Sequence, residues 1–445
     1  MTPPDPNGPS TPSTRSYDPT AGVVECTSEL IGIDTTNAGD DSGPGERKAA
    51  EYVAERLAAA GLEPTIVESR PGRANVLARW EGADPDLAPL LLHGHLDVVP
   101  AEADDWHFPP FAGEVDDGWV HGRGAIDMKD FDAMILSVVR ARRAAGAAPR
   151  RPVVIAFTAD EESGSGYGAH WLVDEHREWF ADCTEAIGEV GGWSATVGDR
   201  RLYLIETGEK GLAWMRLSTR GAAGHGSMRH PDNAVTALAA AVSALGAYDW
   251  PVAPTPTMRV LLDTLAGLSG SDPAEPDAVL SHLGPAARMV AAGIRDSTNP
   301  SMLQAGYKVN VVPATASAQV DGRFLPGHDE EFVATVRRLV GPQVEVEFLT
   351  HQPALETSFD GDLVEAMTTA LLAEDPDAGV APYLMSGGTD AKAWNRLGIR
   401  CFGFTPLRLP PDLDFTALFH GVDERVPVDA LQFGARTLDR LFDLA

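Results

Sequence analysis

His95 and Asp97 stand two residues apart where an apolar run ends, in Leu91-Leu92-His93-Gly94-His95-Leu96-Asp97-Val98-Val99-Pro100. In an extended chain residues i and i+2 project to the same side. Asp97 is therefore placed to accept the far ring N–H of His95, which fixes the tautomer and raises the basicity of the imidazole as a metal ligand. His93 lies on that side as well, so the spacing does not choose between the two histidines. Taken alone, the decapeptide is equally satisfied by a strand-end histidine beside a solvated aspartate. Other polar residues widen the set: Asp127 in Gly122-Arg123-Gly124-Ala125-Ile126-Asp127-Met128-Lys129, the pair Glu161 and Glu162, Glu189, and His420 in Phe419-His420-Gly421. Two imidazoles with several carboxylates make a hard-to-borderline N/O donor set, suited to Zn²⁺, Co²⁺ or Mn²⁺.

The elements that must position these groups follow from periodicity. Leu90 to Leu92, Val153 to Phe157, Ala186 to Gly188 and Arg400 to Phe404 are short apolar runs of strand length. Helical spacing marks about Gly45 to Ala60, ending before Gly61, and places Phe131, Met134, Ile135, Val138 and Val139 on one helix face. Such alternation predicts an α/β fold, a mostly parallel sheet with helices on both faces. His95, the Glu161–Glu162 pair and Glu189 all fall just after predicted strands, where open α/β sheets bind their ligands. From about Leu212 to Leu349 the texture changes. A half-exposed strand at Met215 to Thr219, a helix from Ala234 to Leu245, a strand pair at Tyr307 to Val312 and Ala316 to Arg323, a helix from Asp329 to Leu339 and a strand from Val344 predict an inserted α+β unit of βαββαβ order. The Trp250–Pro300 stretch, rich in Pro, Gly, Ser and Asp, is expected to elaborate that unit.

Composition bounds the function classes. A chain of 445 residues exceeds one ordinary core. The expected division is a disordered tail over 1–20, a catalytic unit over 21–211 and 350–445, and an inserted lid or dimerisation unit over 212–349. Lys+Arg 35 against Asp+Glu 65 gives a net charge of −30, which argues against a nucleic-acid or anionic-membrane surface. Cys26, Cys183 and Cys401 are widely spaced and cannot all pair, as expected of a reducing compartment. The Pro/Ser/Thr-rich N-terminal segment has neither a basic region nor an apolar stretch of a signal peptide. No run of about 18 apolar residues occurs, and a cytoplasmic protein is expected. Gly164-Ser165-Gly166-Tyr167-Gly168 lacks the dinucleotide spacing, and no Gly-x-Ser-x-Gly elbow is present.

The strings around His93–Pro100 and Gly122–Lys129, with Asp160-Glu161-Glu162-Ser163-Gly164 and Gly387-Gly388-Thr389-Asp390, resemble the co-catalytic zinc metallopeptidases that include carboxypeptidase G, acetylornithine deacetylase, succinyl-diaminopimelate desuccinylase and aminoacylase. Glu189-Val190-Gly191-Gly192, Glu209-Lys210-Gly211, the 250–300 insertion and Pro410-Pro411-Asp412-Leu413 look like the branch of carboxypeptidase S and the N-acyl-amino-acid hydrolases. The resemblance implies two Zn²⁺ ions, with Co²⁺ or Mn²⁺ as alternatives. It makes Asp127 the bridging carboxylate, His95 and Glu189 ligands of one ion, and Glu162 and His420 ligands of the other. It makes Glu161 the general base, with Asp97 supporting catalysis and His225, in Gly224-His225-Gly226-Ser227, reaching a partner subunit's site in a homodimer. It assigns substrate contacts to Asn310, Arg323, Gly387 and Gly388. The implied activity is hydrolysis of the amide of short peptides or N-acyl amino acids to release a free amino acid. The alternatives are an N-deacylase of one biosynthetic intermediate, of acetylornithine or succinyl-diaminopimelate type, and a non-catalytic ligand-binding protein on the same fold. The second is disfavoured because the whole ligand set and the base are present.

Overall fold

The four apolar runs are neighbouring parallel strands, in the spatial order Val153–Thr158, Leu90–His95, Glu185–Gly188 and Arg400–Gly403. They form the centre of a ten-stranded sheet in a computed structural model that describes residues 16–40 and 42–445. Arg73–Trp80 joins antiparallel beyond Val153–Thr158, and Arg200–Glu209 joins antiparallel beyond Arg400–Gly403. Successive side chains of a strand point to opposite faces. Leu90, Leu92, Val153, Ile155, Ile187 and Phe402 accordingly belong to one core, and Leu91, Val154, Ala156, Ala186 and Cys401 to another. The continuous apolar runs are thus strands covered on both faces. Each fully buried Leu or Ile contributes roughly 1.5–3 kcal/mol relative to exposure.

Helices Val23–Ile31, Lys129–Ala144 and Val428–Leu444 cover the first face, and Ala169–Glu175 with Ala391–Asn395 the second. The Lys129–Ala144 helix buries more than the single face its spacing predicts. Lys129, Asp130, Asp132 and Arg142 are buried along with Phe131, Met134, Ile135, Val138 and Val139, because other helices cover its outer side.

A separate four-stranded antiparallel sheet runs in the order Ser297–Ala305, Thr315–Phe324, Gly211–Arg220, Glu345–Gln352. With helices Ala234–Gly246 and Asp329–Val340 it has βαββαβ order, and it buries Met215, Leu217, Leu238, Leu245, Val320, Phe324, Phe332 and Val336 on one face. The strand pair differs from the expectation. Thr315–Phe324 pairs with Ser297–Ala305, whereas Val311–Val312 pairs with Gly224–His225. Ser297–Ala305 is an edge strand with few buried positions, so it lacks apolar alternation. It tolerates Pro300 where the register shifts.

The Trp250–Pro300 stretch does not elaborate this smaller unit. Helix Pro256–Ser269 packs on the Gly379–Met385 strand of the large sheet. Met258, Leu261, Leu262, Leu265, Val279, Leu280, Val290 and Ile294 are buried in the large core. Positions 258, 261, 262 and 265 are a helical apolar stripe, masked by the Pro, Gly and Asp residues between the short helices that follow. Of this stretch, Trp250, stacked on Phe332 at 5.0 Å, joins the smaller core, and the strand from Ser297 onward joins the smaller sheet. The chain therefore passes between the two cores four times: near Lys210, after Trp250, near Asp296 and near Pro353.

Residues 1–15 of the expected tail lie outside the described residues. Residues 16–20 are docked on the fold: the Tyr17 hydroxyl donates to Asp439 Oδ1 at 2.9 Å, and Asp18 accepts from the Thr20 N–H. Cys26, Cys183 and Cys401 are free thiols, each buried. Among the described residues no helix is long and apolar enough to cross a membrane.

Candidate metal centre and substrate cleft

The carboxyl ends of the parallel strands bring together residues from across the chain. His95 ends its strand, the Glu161–Glu162 pair follows Val153–Thr158 by a short turn, and Glu189 follows Glu185–Gly188 directly. Asp127 precedes the Lys129–Ala144 helix, and its peptide bond to Met128 is cis. His95 Nε2 lies 3.0 Å from Asp127 Oδ1 and 3.5 Å from Glu189 Oε2. His420 Nε2 lies 3.2 Å from Asp127 Oδ2 and 3.1 Å from Glu162 Oε2. Asp127 thus presents one oxygen to each imidazole. Two overlapping groups result, His95–Asp127–Glu189 and Asp127–Glu162–His420, each with ligand atoms within 4.8 Å of one another. Glu161 Oε2 stands 4.0 Å from His95 Nε2.

His93, which the spacing left as a rival, turns away. Its ring packs against Trp394 at 5.8 Å, and a Cβ at Gly188 would fall 2.2 Å from it. Burial and the neighbouring His95 push its pKa down to about 3, so it stays a neutral core residue.

The expected pairing of Asp97 with His95 takes another form. His95 Nδ1 meets the backbone carbonyl of Asp97 at 2.9 Å, whereas the carboxylate oxygen is 3.7 Å away. A backbone acceptor orients the ring as a carboxylate would. The Asp97 carboxylate instead accepts the Glu161 N–H at 3.0 Å, the Glu162 N–H at 3.1 Å and the Asn37 side-chain amide at 2.9 Å. It holds the turn that carries the Glu pair. Asn37 also donates to Asp160 Oδ1 at 3.1 Å and accepts from Arg73 at 3.0 Å.

Three non-glycine residues beside these groups adopt left-handed backbone: Asp160 (φ 65°), Val190 (φ 58°) and His420 (φ 55°). Such conformations cost about 1–3 kcal/mol each and persist where the surroundings over-determine them. The surroundings are visible here. Tyr167 N–H donates to Asp160 at 3.0 Å, the Tyr383 hydroxyl donates to the Val190 carbonyl, and Arg123 donates to the Gly421 carbonyl at 3.0 Å. Arg123 also pairs with buried Glu424 at 2.7 Å, and Glu424 accepts the N–H groups of Gly124 and Ile126. This pair ties the His420 loop to the Asp127 turn. Asp390 accepts from Thr158 at 2.6 Å and from Ser165, joining the Gly387–Asp390 loop to the strand before the Glu pair. Isolated Arg, Asn and Glu codes give no sign of such long-range partners in a sequence.

Electrostatics follow from burial. Desolvation, then the charge of Glu189, holds the Glu161 carboxyl well above its ordinary range, and desolvation raises Glu189 to about 8. Hydrogen bonds to Asp127 and Glu162 raise His420 to about 10. For His95, burial pushes down, but Glu189 and Asp127 outweigh it. Crowded buried carboxylates around two imidazoles call for positive charge. Glu162 Oε1 is buried without a hydrogen-bond partner, while Glu162 Oε2 faces His420. The donor set fits a pair of divalent cations.

A cleft of about 850 Å³ opens over these groups. The large unit lines it with Asp127, Glu161, Glu162, Glu189 and His420, and the smaller sheet with Leu212, Trp214, Arg323 and Gln352. Gly387 and Gly388 line it as well. Arg323 reaches the cleft with its guanidinium already forked onto Asp321, at 2.7 and 3.1 Å. His225 and Asn310 are both exposed, and neither is among the described residues that line the cleft. His225 Nδ1 meets Ser227 Oγ at 2.8 Å, and the Asn310 carbonyl accepts the Gly226 N–H at 3.0 Å.

Comparison with known proteins gives one family match and many relatives. The family model described as peptidase family M20/M25/M40 matches residues 91–443. A probable carboxypeptidase S-like protein of Dictyostelium discoideum is 29% identical over 385 residues, which are 80% of this chain and 71% of that protein. Aminoacylase-1 of Sus scrofa is 28% identical over 387 residues, covering 85% of each. Among solved structures, an M20 family metallo-carboxypeptidase from Sulfolobus solfataricus shares the fold with a TM-score of 0.71 at 18% identity, over 95% of this chain and 98% of that one.

Proposed function

The chain belongs to peptidase family M20/M25/M40, and from that premise we propose that it is a dinuclear metal hydrolase, with Zn²⁺ as the expected ion and Co²⁺ or Mn²⁺ as alternatives. Its reaction is metal-dependent hydrolysis of the amide of short peptides or N-acyl amino acids, which frees an amino acid. One observation carries the two-metal form: Asp127 offers one oxygen to each of two His–carboxylate groups. His95 and Glu189 would hold one ion, Glu162 and His420 the other, and Asp127 both. Bound there, the ions would supply Lewis acidity to a carbonyl oxygen and to a water.

The chain's own residues do the rest. Glu161, within the same cluster but outside both ligand groups, takes the proton of the attacking water and returns it to the departing amine. Asp97 fixes that carboxylate's backbone. Arg323 receives the substrate's carboxylate, with Asp321 holding the fork in plane until it arrives. Gly387 and Gly388, which line the cleft, would contact the substrate there. The test is a mass-spectrometric screen of dipeptides and of acetyl, succinyl and long-chain acyl amino acids with metal-loaded protein. Release of free amino acid is expected, and a protein that binds two metals yet cleaves none of these would be a binding protein.

The catalytic unit comprises residues 21–210, 256–294 and 353–445, and the lid 211–250 and 297–352. The lid would also pair with its twin in a homodimer. Its edge strand Ser297–Ala305 exposes Met302 and Leu303, and the following loop exposes Tyr307 and Val309. His225, which does not line its own chain's cleft, would then serve the other subunit's site as an oxyanion donor. Mixing inactive His225→Ala with inactive Glu161→Gln protein should restore activity, since a heterodimer regains one intact site. Demonstrated subunit exchange with no recovery would remove the shared-site proposal.

A further inference from the structure

Met289 stands on the short Ala287–Ala291 helix, inside the segment that packs on the large core, and reaches the cleft. Val190, Met385 and Phe419 line the same cleft, and Met289, Val190 and Phe419 are half-buried against the large core. Val190 follows Glu189 and Phe419 precedes His420, so this apolar surface borders the proposed ligands on the large unit. Arg323 and Gln352 border them on the lid, where a substrate carboxylate would go. Leu212 and Trp214 add apolar surface on the lid beside Arg323, so the large unit's apolar surface, away from the carboxylate's guanidinium, is the one offered to the amide's acyl side.

That surface is held in place. A Cβ at Gly293 would fall 2.6 Å from the Leu384 carbonyl, so the chain after Met289 lies directly on the strand that ends in Met385. The buried ammonium of Lys210 donates to the carbonyls of Ala292 at 3.2 Å and Arg295 at 2.8 Å, and to Ser297 Oγ at 3.2 Å. All three of its donors are used. An unbranched thioether adapts to irregular apolar shapes, and the cleft, at about 850 Å³, lies near the upper end of the roughly 300–1,000 Å³ of small-molecule sites. Both features favour a substrate longer than an acetyl amino acid.

We propose that Met289, with Val190, Met385 and Phe419, forms the acyl-side subsite, and that the 256–294 segment sets its preference for extended apolar acyl groups. The proposal rests on the hydrolase reading above. The experiment uses metal-loaded full-length protein and N-acyl-phenylalanines from acetyl to decanoyl. One methylene in an apolar pocket is worth roughly tenfold in kcat/KM. The decanoyl-to-acetyl ratio should therefore be at least about tenfold in the wild type and fall at least about tenfold in Met289→Glu, chiefly through KM. Met289→Leu, which keeps volume and polarity, should hold the ratio, as should Arg288→Ala on the exposed side of the same helix. An unchanged ratio in Met289→Glu, or an equal loss at every chain length, would overturn the assignment. So would a change confined to acetyl-Phe against acetyl-Gly, which would place the amino-acid side chain there. Calorimetry with decanoate decides the subsite without turnover: binding at least tenfold weaker in Met289→Glu supports it, and equal binding overturns it. Failure of the wild type to cleave any substrate would instead strike the hydrolase reading.

Discussion

Replacing Glu161 by Gln is expected to lower kcat by at least roughly 10² to 10⁴-fold, the range of lost general acid–base catalysis, while metal content stays at the wild-type level. The amide keeps the side chain's shape and cannot take a proton. Metal retention follows from geometry, because Glu161 belongs to neither ligand group although its Oε2 lies 4.0 Å from His95 Nε2. Its backbone anchor, the N–H bonded to Asp97, is untouched by the substitution. Turnover and elemental analysis on one preparation check both halves. Near wild-type turnover would move the base elsewhere, and lost metal would make Glu161 a ligand.

Asp127→Ala is expected to bring metal content from near two ions per chain to near zero and activity to background. Both groups include Asp127, whereas His420→Ala removes a donor from only one. His420→Ala should therefore leave about one ion per chain, held by His95, Asp127 and Glu189. The contrast separates sharing from general damage. Elemental analysis after reconstitution with excess Zn²⁺ and desalting reads it, and an Asp127→Ala protein with two ions would show that the clusters are independent.

The convergence of His95, the Glu161–Glu162 pair and Glu189 was legible in the sequence, because strand-end position is a local property. The apolar runs before His95, Glu161 and Glu189 mark strands buried on both faces, and an open sheet assembles its site at their ends. The choice of His95 over His93 was not legible, since both lie on one side of the strand. It is decided by Gly188 and Trp394, which enclose the His93 ring. Nor could spacing show that Asp97 would serve the Glu161–Glu162 turn and leave His95 to a backbone carbonyl. The 256–294 segment was misplaced for a different reason. Helical periodicity says that a face is buried but not against which of two cores, and sequence proximity to the lid strands pointed to the wrong one. The edge strand Ser297–Ala305 escaped notice because few of its positions are buried.

The order of strands in the large sheet has a consequence for biosynthesis. Arg400–Gly403 lies between Glu185–Gly188 and Arg200–Glu209, so a chain emerging N-terminus first holds four of the five proposed ligands before it can close the sheet's middle. During that interval the Glu185–Gly188 strand has an unpaired edge, which is a template for pairing with other chains. The second cluster gains His420 only after the closing strand has been made. Completion of the second proposed ligand group is thereby timed to the end of synthesis, and a ribosome stalled before residue 400 would leave a product with an open sheet and only the first group, His95–Asp127–Glu189, complete.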